Sequence, residues 1–246
     1  MNAAAGAPGP GLARVVEGVW ARPGFEAAAR HWRNAIDEPA PEPEAGTAGR
    51  GGARPVPLSD GTRGWLKIYR HGGLLRGLLG DVYWERPERP LREAAAIESA
   101  RRSGVTVPEV LAAIAVPMPP PLGRFYRAAL VTRELAGRRS LADALRATPD
   151  PIARAELVGG CWDVLRRLHR AGVRHRDANA SNFLVGEAGL EPALIDFDGA
   201  VVGESPVGEP VRRMARRRLA RSVAKLGIEG LDRRGVEAIV DARAPR

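Results

Sequence analysis

Two aspartates, an asparagine and a lysine carry the chemistry that can be read from this chain. His175-Arg176-Asp177 is followed five residues after the aspartate by Asn182, the H-R-D-x-x-x-x-N spacing in which a carboxylate faces an acceptor hydroxyl and an amide oxygen holds a metal during phosphoryl transfer. Asp196 comes fourteen residues after Asn182, directly behind the apolar run Ala193-Leu194-Ile195, which reads as a short buried strand with its next carboxylate at the tip. Phe183-Leu184-Val185 is the expected partner strand, with the turn over residues 186 to 192. A hairpin ending in Asn182 on one side and Asp196 on the other brings both side-chain oxygens to one magnesium ion, which takes few protein oxygens and leaves the rest of its shell to phosphates and water. His175 reads as a buried support bonded to backbone. Turn formation and strand capping are the plainer account of Asp177, Asn182 and Asp196, but they do not explain why the three fall together.

Lys67 stands out against the composition. Only two of the 38 basic residues are lysines, Lys67 and Lys225. A compact ammonium group that reaches phosphate oxygens does a job arginine does not duplicate well. Lys67 lies in the middle of Trp65-Leu66-Lys67-Ile68-Tyr69, a strand by alternation and β-propensity. A helix from Pro90 through Arg102 puts Glu93 near its start, where it can reach back to Lys67 as an ion pair. Glu98 is the competing partner, and a solvated helix carboxylate is the plainer reading of either. Gly49-Arg50-Gly51-Gly52 could form a turn laying backbone amides over phosphates, or an ordinary loop.

The elements that must position these groups follow in order. Residues 1–13, rich in Ala, Gly and Pro, read as disordered. Residues 15–36, with Trp20, Phe25, Trp32 and Ile36, give a strand and a short helix. Strands are expected over Val105 to Ala115 and Tyr126 to Glu134, with a rigid loop from Pro117 to Pro121. Leu135-Ala136-Gly137 reads as a hinge, and Ser140 caps a helix through Leu141, Ala144 and Leu145. A long helix over 151–171 ends at Gly172 and delivers the chain to His175. The expected architecture is α+β and two-lobed like the protein kinases, with a β-rich lobe over residues 14–134 holding one helix and a mainly helical lobe over 135–246. Residues 211–226 form a basic helix with Met214, Leu219, Val223 and Leu226 on its apolar side; it could rest on anionic headgroups or be a core helix with a solvated face.

The 246 residues, 44% of them hydrophobic, suffice for one sizeable domain or two intimate lobes. The single Cys161 cannot form an internal disulfide and reads as a buried helix residue, which fits a reducing compartment. No signal peptide or membrane span is recognisable, so a cytoplasmic location is expected. A net charge of +9 and a pI near 10.9 favour polyanionic partners without choosing among nucleic acid, nucleotide phosphates and anionic membrane.

At this point the residues resemble a known family. Gly49-Arg50-Gly51, Leu66-Lys67-Ile68-Tyr69-Arg70-His71-Gly72-Gly73-Leu74, Leu79-Gly80-Asp81-Val82-Tyr83, Arg92-Glu93, Gly104 to Pro108, Ser140-Leu141-Ala142, His175 to Asn182, Ile195-Asp196-Phe197-Asp198 and Leu219 to Val223 occur in the order and spacing of the bacterial lipopolysaccharide kinases. The chain looks most like the 3-deoxy-D-manno-octulosonic acid (Kdo) kinases. That resemblance implies transfer of the ATP γ-phosphate to a hydroxyl of Kdo on Kdo-lipid A. It places the protein peripherally on the cytoplasmic face of the inner membrane, with no nucleic acid and no obligate protein partner. Asp177 would orient or deprotonate the acceptor hydroxyl, and Asn182 with Asp196 would hold Mg2+, Asp198 being a further metal or sugar contact. Lys67, steadied by Glu93, would bind the ATP phosphates beneath Gly51 and Gly52, and backbone groups of Glu134 to Ala136 would receive adenine. The family loop more often resembles His-Ala-Asp-Leu-Asn, and arginine tends to follow the Ile-Asp-Phe-Asp motif, where this chain has Gly199. Two alternatives are a small-molecule phosphotransferase of the aminoglycoside or choline type and a kinase-like binding module without turnover.

Overall fold

The computed structural model describes residues 11–36, 53–69, 83–84, 89–118, 125–187 and 190–243. Two compact units form, one ending at Glu98 and resuming over Glu109–Glu134, the other made of Ser99–Pro108 and the chain from Leu135 onward.

The first unit is an antiparallel sheet with two helices. β1 (Ala13–Val16) and β2 (Val19–Ala21) form a hairpin, followed by α1 (Glu26–Ala35), β3 (Ala53–Pro57), β4 (Arg63–Ile68), β5 (Tyr83–Trp84), α2 (Arg89–Arg102), β6 (Val110–Pro117) and β7 (Phe125–Arg133). Among the described residues the strand order is β1-β2-β6-β7-β4-β3, with β5 paired to the start of β7. Val110–Ala115 of β6 and Ala128–Val131 of β7 are buried without alternation at the centre of the sheet. Ala29 and Trp32 of α1 join a core with Leu66, Ile68, Leu111, Ile114 and Val131. In β4, Gly64, Leu66 and Ile68 are buried in alternation, which turns Lys67 to the opposite face of the sheet.

One strand starts later than its sequence suggests. Residues 105–109 are not part of β6, because Pro108 has no amide to give a ladder and the preceding residues pair elsewhere. Thr106 makes a parallel bridge to Ala193, and the Leu194 amide donates to the Thr106 carbonyl at 3.0 Å.

In the second unit, β8 (Arg139–Ser140) leads into α3 (Leu141–Ala147) and α4 (Pro151–Arg170). Ser140 caps α3 by accepting from the Asp143 amide at 3.1 Å, and Asp150 caps α4 by accepting from Ile152 and Ala153 amides, both at 3.1 Å. Pro151 occupies the first turn, where its missing amide costs nothing. At the far end Gly172 has φ +76°, and a Cβ there would lie 2.5 Å from the Gly203 carbonyl oxygen. Only glycine permits both the conformation and the approach. β9 (Val173–Arg174) pairs with β12 (Val201–Val202), while β10 (Phe183–Val185) lies between β8 and β11 (Ala193–Leu194). Cys161 is buried within α4. No helix among the described residues is long and apolar enough to cross a membrane.

α5 (Glu209–Ala224) and α6 (Arg233–Ala242) pack on each other and on α4. Ala215, Leu219, Ala220 and Val223 are the buried residues of α5. Met214, expected on that apolar side, is instead 53% exposed, because it sits one helical step, about 100°, away from the 215/219/223 stripe.

His169, near the end of α4, is 2% exposed, and neither ring nitrogen finds a hydrogen-bond partner among the described residues. Burial, then the nearby charge of Arg212 and the His175 ring, push its pKa down to about 4. The unfolded chain therefore takes up a proton that the folded chain refuses, and stability is lost as pH falls below about 6.5 toward 4. We expect acidification from pH 7.5 to 5 to cost about 2 kcal/mol through His169, read as a lower urea midpoint, and His169→Phe to reduce that loss.

Candidate active site

Each unit carries one cluster of the residues singled out by sequence. In the first, the Lys67 Nζ of β4 donates to Glu93 Oε1 at 3.0 Å and Oε2 at 3.2 Å. Glu93 is 3% exposed. It also accepts from the Tyr69 hydroxyl. Lys67 and Arg89 lie over the Tyr69 ring at 5.1 and 4.9 Å from its centroid, within cation–π range. Glu93, in the first turns of α2, is thus the partner of Lys67, which decides between it and Glu98. A carboxylate buried this deeply requires its donors, since removing one partner of such a pair costs about 3–5 kcal/mol. Lys67 keeps a 23% exposed side chain, so part of it still meets solvent while Glu93 holds the ammonium.

The second cluster is a loop locked by its own backbone. His175 follows β9 and is buried; its Nε2 donates to the Ile195 carbonyl at 3.1 Å, and its Nδ1 accepts the Asp177 amide at 3.3 Å. Those two bonds require the neutral Nε2–H tautomer. Burial lowers the His175 pKa, against the pull of the Ile195 carbonyl and of Asp196 and Asp177. The ring meets Phe197 edge to face, centroids 4.9 Å apart.

Asp177 is exposed, and Asn179 Nδ2 donates to its Oδ2 at 2.9 Å. The Asn179 Oδ1 in turn accepts from the Ser181 and Asn182 amides at 2.8 and 3.1 Å, an Asx-type turn. Asn182 is buried, and its Nδ2 donates to the Asp177 carbonyl at 2.8 Å. That bond leaves Asn182 Oδ1 as the end available to a cation. The Ile195 amide donates to the Asn182 carbonyl at 2.9 Å, tying the backbone of Asn182 to the residue before Asp196. Asp196 is exposed and has φ +62°, the one positive φ among described non-glycine residues. A non-glycine residue in this region costs about 1 kcal/mol or more and persists where its surroundings over-determine it. Here Ile195 is tied on one side and Phe197 is buried on the other. Asp198 follows, half-buried, in a turn closed by the Ala200 amide on the Phe197 carbonyl.

Asn182 and the two aspartates offer hard oxygen donors, the set that suits magnesium rather than zinc. Among the described residues no group of three or more His, Cys, Asp or Glu side chains gathers as a metal site; magnesium bound with phosphates needs only one or two protein carboxylates. The Glu134 amide donates to the Arg63 carbonyl and its carboxylate pairs with Arg63 at 3.1 Å, while Ala136 is exposed in the turn beyond. Gly51 and Gly52 lie outside the described residues, as do all the motif residues from 70 to 82.

Three contributors to these clusters had no assigned role in the sequence reading. Asn179 orients Asp177, Tyr69 shares Glu93 with Lys67, and Ser222 of α5 accepts the Ala180 amide at 2.9 Å. Only Asn179 left a usable trace, since an asparagine in a loop favours an Asx turn on the amides two and three residues ahead.

Comparison with known proteins places this geometry. The model of the "Lipopolysaccharide kinase (Kdo/WaaP) family" matches residues 42–233. Proteins named 3-deoxy-D-manno-octulosonic acid kinase are similar: one from Xanthomonas campestris pv. campestris is 33% identical over 196 residues, covering 72% of this chain and 73% of the relative. One from Vibrio cholerae is 31% identical, covering 67% and 66%, and one from Vibrio vulnificus is 34% identical, covering 54% of each. The chain thus spans about half the length of the Vibrio vulnificus relative it matches. A solved structure described as WaaP in complex with acyl carrier protein superposes with TM-score 0.59 at 19% identity, covering 92% of this chain and 89% of that one. This likeness establishes the expected α+β, protein-kinase-like fold. With a family match that takes in Lys67, Glu93, Asp177, Asn182 and Asp196 alike, the chain belongs to the Kdo/WaaP family of lipopolysaccharide kinases.

Proposed function

We propose that this chain transfers the γ-phosphate of ATP to a hydroxyl of the Kdo sugar on Kdo-lipid A. The observation that carries the reading is the Asp177–Asn179–Asn182 loop tied through the Asn182 carbonyl to the segment bearing Asp196; the names of the relatives supply the sugar. Asp177, held at one oxygen by Asn179, receives the acceptor hydroxyl at the other and takes its proton as the new O–P bond forms and the bond to ADP breaks. Asn182 Oδ1 and the Asp196 carboxylate, with Asp198 as a further oxygen, would hold Mg2+, which neutralises phosphate charge when bound. Lys67 binds the phosphates while Glu93 and Tyr69 fix its direction, and backbone groups of Glu134 to Ala136 receive adenine.

The acceptor is an anionic glycolipid, and α5 suits contact with an anionic membrane surface. Five of its six arginines fall into two sets, Arg218 being half-buried and outside both. Arg212 pairs with Glu209 at 2.9 Å and Arg216 pairs with both oxygens of Asp241, at 2.5 and 2.8 Å. Arg213, Arg217 and Arg221, at i, i+4 and i+8 on one exposed stripe, have no acidic partner among the described residues. Each such cation near an anionic leaflet contributes on the order of 1 kcal/mol. On this reading the protein works peripherally at the cytoplasmic face of the inner membrane, which the exposed arginine stripe supports.

The direct test is mass spectrometry of Kdo-lipid A incubated with the protein and Mg-ATP. A single added phosphate on the sugar is expected, and phosphorylation of a soluble amino sugar or aminoalcohol instead would replace this reading. Asp177→Asn and Asp196→Asn should each lower kcat by about a hundredfold or more with the urea midpoint nearly unchanged; near-normal turnover in both would overturn the assignment. Lys67→Arg keeps the charge opposite Glu93, but its planar, wider head should raise the KM for ATP, and an unchanged value would make Lys67 a structural cation only. The triple variant Arg213→Gln, Arg217→Gln, Arg221→Gln should raise the lipid KM and flatten its salt dependence with the ATP KM unmoved. In Arg212→Gln, Arg216→Gln the larger effect should fall on thermal stability.

A further inference from the structure

Of the two charged side chains in the His175–Asn182 loop, Arg176 and Asp177, only that of Arg176 has no role in the architecture described above. It is exposed and forms no hydrogen bond or ion pair with any described residue. Its neighbours are otherwise committed: the Asp177 amide bonds the His175 ring, and one Asp177 oxygen accepts from Asn179. Yet the Arg176 side chain lies along a defined surface. A Cβ built on Gly199 would fall 3.2 Å from Arg176 Cδ and 3.5 Å from its Nη1, so the arm crosses the bare Cα of Gly199. Gly199 has φ +67°. A side chain there would be disfavoured by the backbone and would also press on the arginine.

The result is a guanidinium lying across the turn that follows Asp196, next in sequence to the aspartate that faces the acceptor, with its donors unspent. The Arg176 stem packs on Gly199, but its charge contributes no ion pair to the fold among the described residues. A planar five-donor fork is the group that reads a carboxylate or phosphate through two parallel hydrogen bonds. We propose that Arg176 is a specificity-determining residue that binds an oxyanion of the acceptor, carboxylate or phosphate, and thereby sets the acceptor hydroxyl against Asp177. This rests on the kinase reading above.

The test uses the full chain with three acceptors in detergent micelles: Kdo-lipid A, the same lipid with its sugar carboxylate reduced to an alcohol, and the same lipid with its lipid A phosphates removed. Equilibrium binding is measured beside turnover. Wild type should bind one of the two altered lipids less well, which identifies the oxyanion. Arg176→Gln should weaken binding of intact Kdo-lipid A, and raise its KM, on the order of 10- to 100-fold, lose the ranking among the three, and shift the ATP KM by less than about twofold. Arg176→Lys should recover part of the ranking. If wild type binds all three alike, or Arg176→Gln keeps the wild-type ranking, the assignment is overturned while the kinase reading stands on turnover. If no lipid is phosphorylated but the binding ranking is present in wild type and lost in Arg176→Gln, the assignment stands and the choice of reaction falls. Absence of binding to any of the three overturns both.

Discussion

The catalytic-loop cluster depends on one imidazole staying neutral. His175 gives its only proton to the Ile195 carbonyl and uses its bare nitrogen to take the Asp177 amide. A second ring proton would point at that amide and cancel the contact. Burial resists this by lowering the pKa, and the Phe197 ring closes the apolar side. Because Ile195 also donates to the Asn182 carbonyl, one residue's two backbone groups fasten both the loop that bears Asp177 and the strand end that bears Asp196. The unusual φ of Asp196 follows from this arrangement: the chain must leave a fixed Ile195 and bury Phe197 on the next residue but one.

The same economy governs the other cluster. Glu93 is the buried group, and Lys67 and Tyr69 are arranged around its oxygens. The lysine is therefore stiffened by a neighbour that cannot relax into water, a stronger constraint than an exposed pair imposes. In a chain that otherwise uses arginine, a lysine at this point supplies a compact point charge rather than a planar fork.

Much of this could be read in the sequence because the residue types stand at intervals that local structure preserves. His175, Asp177, Asn182 and Asp196 stand at loop and hairpin spacings, and Lys67 sits in a strand short enough for alternation to assign its face. The residues that escaped notice act through tertiary contacts. Ser222 reaches Ala180 from a helix forty-two positions away, and although it lies in a family motif, nothing in its local sequence names that partner. Tyr69 looks like an ordinary strand aromatic until Glu93 is folded against it. Met214 was misplaced because a helix so dense in arginine offers few apolar positions from which to phase its buried stripe, and alanines 215 and 220 carry much of that burial. Which arginines are neutralised depends on Asp241 of the neighbouring helix, beyond the reach of sequence spacing.

The short parallel bridge from Thr106 to Ala193 bears on how the chain can be divided. Residues 99–108 belong with the part that begins at Leu135, so the polypeptide passes from one unit to the other three times. During synthesis, the Leu194 amide finds its acceptor on a segment made some ninety residues earlier, and the second unit cannot close on newly emerged chain alone. A chimaera spliced at 134/135 would join the hairpin to another protein's version of residues 105–107, inheriting or losing that acceptor with the donor parent. Recombination within this family is therefore better tolerated where the exchanged block keeps the 99–108 segment together with the C-terminal half.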